Sequence, residues 1–202
     1  MNLPFNWFDI AILAVLGSGV HRGRKHGMSE ELMLLIKWLA IVIVGGFSYS
    51  ILGDFIAQST VFSHLAAYSM AYFGVALIIT ATFLGIKKLM HGKLIGSDVF
   101  GGAEYYLGMA AGMLRYSCIL IFALAFINAP LYSQADIKAR QAYENEWYGS
   151  DFFPGFQTLQ SQVFEKSFAG PYIHSSIGFL FIKSTPFEKK GIQRQQYQGL
   201  PE

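Results

Sequence analysis

The feature of this chain that most constrains its fold is LAAYSMAYFGVALIITATFLGI, residues 65–86, which contains no charged side chain. A helix that crosses the hydrocarbon core of a bilayer needs about 20 mainly apolar residues. The run satisfies this requirement, so it predicts a transmembrane helix. Composition agrees, because 53% of the residues are hydrophobic and only 14% are charged, whereas typical soluble domains carry about 25% charged residues.

Three more apolar segments lead to the prediction of an all-α, integral membrane four-helix bundle in residues 1–129. The predicted spans lie at about 5–20, 32–52, 65–86 and 105–127. The first is short and carries Asp9, and an Asp at a helix centre costs about 2.5–3.5 kcal/mol on insertion scales. It is predicted to be a retained span and not a signal peptide, because no basic residue precedes it and Asp9 interrupts its apolar run.

The positions of Lys and Arg between the spans predict the orientation of the chain. Cytoplasmic loops carry an excess of these residues, and here they fall in the first and third loops: Arg22, Arg24, Lys25, Lys87, Lys88 and Lys93. The loop at 53–64 has neither residue type. We therefore expect a multi-pass protein of the bacterial inner membrane, with both termini outside the cytoplasm. If the first segment does not cross, only the N-terminus moves inside.

The first basic loop contains glycines at 17, 19, 23 and 27, which we expect to interrupt any continuous helix between the first two spans. Ser29 is a predicted N-cap of the second span. The basic side chains here belong either to a solvated turn or to a surface that contacts anionic lipid headgroups.

Beyond Pro130 the composition becomes more polar. Residues 130–183 are predicted to form an extracytoplasmic amphipathic helical segment, in which Gly170-Pro171 interrupts the helical period, and 184–202 a polar tail. From Pro130 onward seven basic residues balance seven acidic ones. This balance argues against a nucleic-acid partner. The bilayer is the expected partner, together with a second copy of the chain or a protein of the envelope or of a membrane complex.

Motifs for enzymatic chemistry are missing from the sequence. It has no nucleophile elbow, no phosphate-binding loop and no H-E-x-x-H. Its histidines at 21, 26 and 91 are accompanied by no cluster of Cys or carboxylates, and Cys118 is the one cysteine. We expect no enzyme, no cofactor and no metal site.

Ionisable residues inside the apolar segments are the candidate functional residues. Asp9, Lys37 and Arg115 lie within predicted spans, and Glu104 lies at the cytoplasmic end of the fourth. Such residues usually face the bundle interior and pair with one another. At about 1.5 Å per residue, Asp9 and Arg115 lie at similar predicted depths, so we hypothesise that they form an ion pair. These charges either hold the bundle together or line a path for transport or proton relay.

Small residues mark one face of the fourth predicted span. Gly108 and Gly112 form a G-x-x-x-G pair, a pattern that allows close packing of membrane helices. The pattern predicts a helix contact without specifying whether the partner is the same chain or a second copy.

Two blocks of the sequence resemble the colicin V production protein family. The first is FNWFDIAILAVLGSGVHRGRKHGMSEELMLLIKWLAIVI, with Asp9, a hairpin containing Arg and Gly, Glu30 or Glu31, and Trp38. The second is SDVFGGAEYYLGMAAGMLRY, with Asp98, the two glycines and Arg115. The resemblance covers roughly residues 5–127. The second block ends Arg115-Tyr116 where the family usually has Arg-Gly.

The resemblance implies a bacterial inner-membrane protein of four helices, associated with the production or export of a peptide toxin or with envelope homeostasis. It implies no catalytic activity. We expect a scaffold or interaction protein. The alternatives are a small transporter or channel subunit that uses Asp9, Lys37 and Arg115, and an accessory subunit of a larger membrane complex.

Overall fold

Long helices account for most of the structure. The computed structural model describes residues 6–89, 101–132 and 155–186. Its elements are α1 (Trp7–Ser59), α2 (His64–Leu89), a 3-10 turn (Gly101–Ala103), α3 (Glu104–Asn128), β1 (Pro130–Leu131), α4 (Phe156–Phe164), α5 (Ala169–Ile177), a 3-10 turn (Gly178–Leu180) and β2 (Thr185–Pro186).

Helix α1 reverses direction at Gly27, the residue inside it that leaves helical geometry, with φ 73° and ψ 175°. Positive φ is accessible to glycine because it has no Cβ. A straight helix would separate residues 8 and 49 by about 60 Å, yet Phe8 and Tyr49 belong to one hydrophobic cluster. We call residues 7–26 the first arm of α1 and residues 28–59 the second arm.

Both arms pack against α3, in opposite directions. The first arm is antiparallel to α3, since Gly19 lies opposite Gly112 and Gly23 opposite Gly108. The second arm is parallel to it, because Glu31 contacts Arg115 and Trp38 packs on Phe122. Helix α2 then runs antiparallel to the second arm, with Tyr72 on Gly45 and Tyr68 on Gly53. The Gly27 bend, the end of α2 and the start of α3 consequently lie at one end of the bundle.

The prediction of an all-α membrane protein is confirmed at the level of helix length and apolarity. Within the described residues, three helices are long and apolar enough to cross a membrane: Trp7–Ser59, His64–Leu89 and Gly101–Asn128. The predicted spans 65–86 and 105–127 fall inside the last two. The two-residue strands β1 and β2 pair in parallel and form a single short bridge.

The prediction that Arg22, Arg24 and Lys25 lie in a loop after the first span is wrong. Helix continues through residue 26, so Arg22, Arg24 and Lys25 are on the first arm. Glycine in a helix costs about 1 kcal/mol relative to alanine, but here Gly19 and Gly23 contact α3 directly and packing outweighs propensity. Lys87 and Lys88 form part of the last turn of α2. Lys93 lies outside the described residues.

The first arm and α3 meet through their glycines. A Cβ on Gly23 would lie 2.0 Å from the Gly108 carbonyl oxygen, and one on Gly112 would lie 2.2 Å from that of Gly19. Distances this short leave no room for a side chain. Gly108 and Gly112 therefore contact an arm of their own chain, which answers the question that the G-x-x-x-G pattern left open.

The C-terminal segment folds back onto the end of the bundle opposite Gly27. Leu180, Phe181 and Ile182 are buried, and the Asn128 side chain donates a hydrogen bond to the Ile182 carbonyl over 3.0 Å. The Lys183 N–H donates to the Tyr49 hydroxyl over 3.0 Å. The segment thus packs against the helices, and residues 185–186, predicted as polar tail, pair with β1.

Gly170-Pro171 does not break the C-terminal helices as predicted. The break between α4 and α5 falls at 165–168, and the dipeptide lies in the first turn of α5. Proline is tolerated there because the N–H groups of the first turn have no intrahelical acceptor. Gly170 packs closely on the Val163 carbonyl of α4, where a Cβ would lie 1.8 Å from the oxygen.

We expect Gly23→Ala to destabilise the bundle, because the new Cβ would meet the Gly108 backbone. Overpacking typically costs about 1–3 kcal/mol. Unfolding of the purified chain in detergent, followed by circular dichroism, measures the loss. Gly17→Ala is the matched control on the same arm, since nothing lies within 4 Å of its Cβ. Equal stability of the two variants would contradict the close contact.

Candidate functional site

The Gly27 end of the bundle holds a buried cluster of charged residues. Arg115 on α3 and Glu31 on the second arm form an ion pair, with Nη1 and Oε2 2.6 Å apart. Their side chains are 5% and 1% exposed. Glu31 lies four residues after Gly27, about 6 Å along the helix axis. Arg115 also covers the Tyr116 ring, with Cζ 4.8 Å from the ring centroid.

Glu104 acts at the bend itself. Its Oε1 accepts a hydrogen bond from the Ser29 backbone N–H over 2.6 Å, and both residues are buried. The first N–H groups of a helix have no intrahelical acceptor, and a carboxylate near them is favourable. Glu104 of α3 therefore caps the second arm, a role that the sequence had suggested for Ser29. A Cβ on Gly27 would lie 2.8 Å from Glu104 Cγ, so glycine at the bend also makes space for this carboxylate.

The hypothesised Asp9–Arg115 pair is wrong. The similar predicted depths of Asp9 and Arg115 depend on a first span that ends at residue 20, whereas the first arm extends to residue 26. Gly19 lies opposite Gly112, so the antiparallel register places Asp9 about ten residues further along α3 than Gly112. Arg115 pairs instead with Glu31.

Asp9 binds the C-terminal segment at the far end of the bundle. Its carboxylate accepts hydrogen bonds from the N–H groups of Phe168 (3.1 Å) and Ala169 (3.0 Å), at the start of α5. It also accepts one from the Asn6 N–H over 2.9 Å, as part of the capping box that begins α1. The Asn6 side chain donates to the Gln162 carbonyl on α4 over 3.1 Å. Asp9, buried at 5% exposure, therefore joins the starts of α1 and α5, and Asn6 links them to α4.

Lys37 stands apart from these clusters. Its side chain is half-buried, and Nζ lies 5.6 Å from the centroid of the Trp38 ring. An ammonium over an indole face gains a modest cation–π attraction.

Sequence reasoning left Glu31, Asn6 and Gln162 outside the set of candidate site residues. Glu31 could have been found from the apolar run LMLLI that directly follows it, because a carboxylate four residues into a membrane helix requires a partner. The roles of Asn6 and Gln162 arise from contacts between segments more than 150 residues apart, which no local pattern signals.

The family model described as colicin V production protein matches residues 8–161, well over half of the chain. The chain belongs to this family. The match extends past the blocks that carried the resemblance and includes α4 up to residue 161. A search of curated proteins and a search of solved structures gave no match. Family membership and the three long apolar helices together show a membrane protein of the colicin V production type.

The contacts of Asp9 lead to a testable expectation for Asp9→Asn. Because an amide has one acceptor oxygen and no charge, the N–H groups of Phe168 and Ala169 lose their charged acceptor. A charge-assisted hydrogen bond contributes about 1.5–3 kcal/mol, so the amides at the start of α5 should exchange at least about tenfold faster in hydrogen–deuterium exchange.

The matched control for this experiment is Asp54→Asn. Asp54 accepts a hydrogen bond from the Tyr68 hydroxyl over 2.7 Å and is not among the acceptors of the α5 N–H groups. Exchange at α5 should remain unchanged in this variant. Unchanged α5 exchange in Asp9→Asn would show that the carboxylate does not hold the segment in place.

Proposed function

We propose that this chain is a non-enzymatic scaffold of the bacterial inner membrane that acts in production or export of a peptide toxin, or in envelope homeostasis. The observation that carries the proposal is the buried ion pair of Glu31 and Arg115, together with membership of the colicin V production family. A charge that conducts or relays must be reachable by water or substrate. These two side chains are almost fully buried and contact each other directly, which favours a role in holding the helices together.

The scaffold crosses the membrane four times in this proposal, through the two arms of α1, α2 and α3. The basic residues Arg22, Arg24, Lys25, Lys87 and Lys88 cluster at the Gly27 end, and that end faces the cytoplasm under the positive-inside rule. The N-terminus and α4–α5 then face outward. Supporting this, Asn6 and Gln162 are hydrogen-bonded to each other at the opposite end of the bundle.

The outward C-terminal segment offers the surface for an envelope partner or a second copy of the chain. Phe168, Tyr172 and Phe179 are 58%, 66% and 66% exposed. Aromatic rings at this level are typical of the membrane–water interface and of protein contacts. The segment is held on the bundle by Asp9 and Asn128, so the rings are presented at a defined position.

A transport role is the second candidate function, and one observation favours it. Arg115 Nε is buried and has no hydrogen-bond acceptor among the described residues. Buried donors of this kind call for an explanation such as a water or a bound group. An anionic substrate that reaches Arg115 would supply the acceptor.

Cysteine labelling tests the crossings and their orientation. In a Cys118→Ala background, single cysteines replace Asn2, Lys25, Lys88 or Ser176. We expect a membrane-impermeant maleimide to label Asn2→Cys and Ser176→Cys in intact spheroplasts, and Lys25→Cys and Lys88→Cys only after the membrane is opened. Labelling of Asn2→Cys from the cytoplasmic side alone would show that the first arm does not cross.

Replacing the Glu31–Arg115 ion pair by apolar residues distinguishes the scaffold role from the transport role. We expect Arg115→Met alone to lose about 3–5 kcal/mol of stability, because Glu31 is left buried without a counter-charge. Glu31→Leu/Arg115→Met removes both charges, and such replacements are often neutral. A scaffold then retains its function, whereas a transporter that uses Arg115 does not.

The measurement is toxin activity secreted by a strain that lacks the chromosomal copy and produces a colicin V-type peptide, with unfolding in detergent measured in parallel. The folded double variant should restore secretion to within about twofold of the wild type, as expected when an apolar pair substitutes for the ion pair. Loss of secretion by a folded double variant would favour transport. Failure of the wild-type chain to restore secretion would refute the role in toxin production.

A further inference from the structure

A groove lies between the basic face of the first arm and the start of α3. It has a volume of 660 Å³ and is lined by His21, Arg24, Lys25, Tyr105, Tyr106 and Met109. This volume is within the range of about 300–1,000 Å³ that is usual for small-ligand sites. Two distant parts of the chain form it, held in contact by Gly23 and Gly108. The groove is therefore a product of the tertiary fold.

The lining has the chemistry of an anion site. His21, Arg24 and Lys25 are spaced i, i+3 and i+4, so they share one helix face. Across from them, two tyrosines supply phenolic hydroxyls, which can donate hydrogen bonds. No carboxylate is among the lining residues, and no described carboxylate pairs with Arg24 or Lys25. The two permanent charges are thus available to a ligand.

The position of the groove indicates which anion it takes. It lies at the Gly27 end of three apolar helices, where the hydrocarbon core gives way to the headgroup layer under the proposed membrane placement. The half-buried Met109 and the aromatic rings of Tyr105 and Tyr106 supply apolar surface beside the charges. A ligand with a phosphate and an adjoining acyl glycerol matches this combination better than a free ion.

We propose that this groove binds the phosphate headgroup of one anionic phospholipid. Arg24 and Lys25 neutralise the phosphate, and the hydroxyls of Tyr105 and Tyr106 donate hydrogen bonds to its oxygens. The lipid then bridges the first arm and α3 beside their glycine contact. The inference rests on the proposed membrane placement but not on the scaffold role, and the labelling experiment tests that placement separately.

Native mass spectrometry of the full chain, delipidated in a neutral detergent and titrated with phosphatidylglycerol or phosphatidylcholine, tests the proposal. We expect one phosphatidylglycerol to bind more tightly than phosphatidylcholine. Arg24→Gln/Lys25→Gln should weaken that binding by about tenfold or more, since it removes both basic side chains that attract the anionic headgroup. Equal binding of the two lipids would overturn the proposal.

The matched control is Lys87→Gln/Lys88→Gln, which removes the same charge from the same end of the bundle but outside the groove. It should change the affinity by less than about twofold, because separated exposed charges are screened. A loss equal to that of the groove variant would mean diffuse attraction to the lipid and would overturn the site. All four side chains are exposed, so folding should be preserved, and circular dichroism verifies this.

Two further arms identify the ligand and the role of the tyrosines. Tyr105→Phe/Tyr106→Phe retains both rings but removes the two hydroxyl donors, and this loss should weaken lipid binding by about tenfold or more. Unchanged affinity would remove the tyrosines from the site. Inorganic phosphate, at the concentration of lipid that saturates the groove, should not displace phosphatidylglycerol. Displacement by phosphate would show that the groove takes a soluble anion and would overturn the lipid assignment.

Discussion

The direct backbone contact between the first arm of α1 and α3 is the constraint on which the rest of the structure depends. Gly19 and Gly23 meet Gly112 and Gly108 with no space for a Cβ. Without a hydrophobic force between helices in lipid, close packing of small residues is a main source of helix association. This contact sets the register of the two helices, and the register places Glu104 at the Gly27 bend, where it caps the second arm.

Each buried charged side chain in the described bundle forms a hydrogen bond or an ion pair within the protein, where water cannot reach it. Asp9 and Glu104 accept hydrogen bonds from backbone N–H groups at the starts of helices, and Glu31 forms an ion pair with the guanidinium of Arg115. An unpaired charge in such surroundings costs far more than a paired one. At both ends of the bundle a buried carboxylate accepts hydrogen bonds at the start of a helix, but with different results. At the Gly27 end a carboxylate stabilises a bend, and at the other end a carboxylate fastens the C-terminal segment.

Sequence reasoning located the apolar helices well and the charge partners poorly. Residues 65–86 and 105–127 were recognised within a few positions of α2 and α3, because apolar length is a local property that the bilayer demands. The prediction of an Asp9–Arg115 pair was wrong because it depended on the register between two helices, which the sequence does not specify. A six-residue error in the end of the first arm moves Asp9 by about 9 Å, more than the length of a salt bridge.

The sequence by itself determined that the chain is an all-α membrane protein of the colicin V production family, since apolar runs, charge content and family blocks are written in consecutive residues. The tertiary structure alone decided three things: which of the four glycines bends α1, which carboxylate meets Arg115, and that basic and tyrosine side chains share a groove. Each depends on how distant helices slide against one another. That position depends on packing between residues far apart in the sequence, the glycine contact of the first arm with α3 above all, and it cannot be read from consecutive residues.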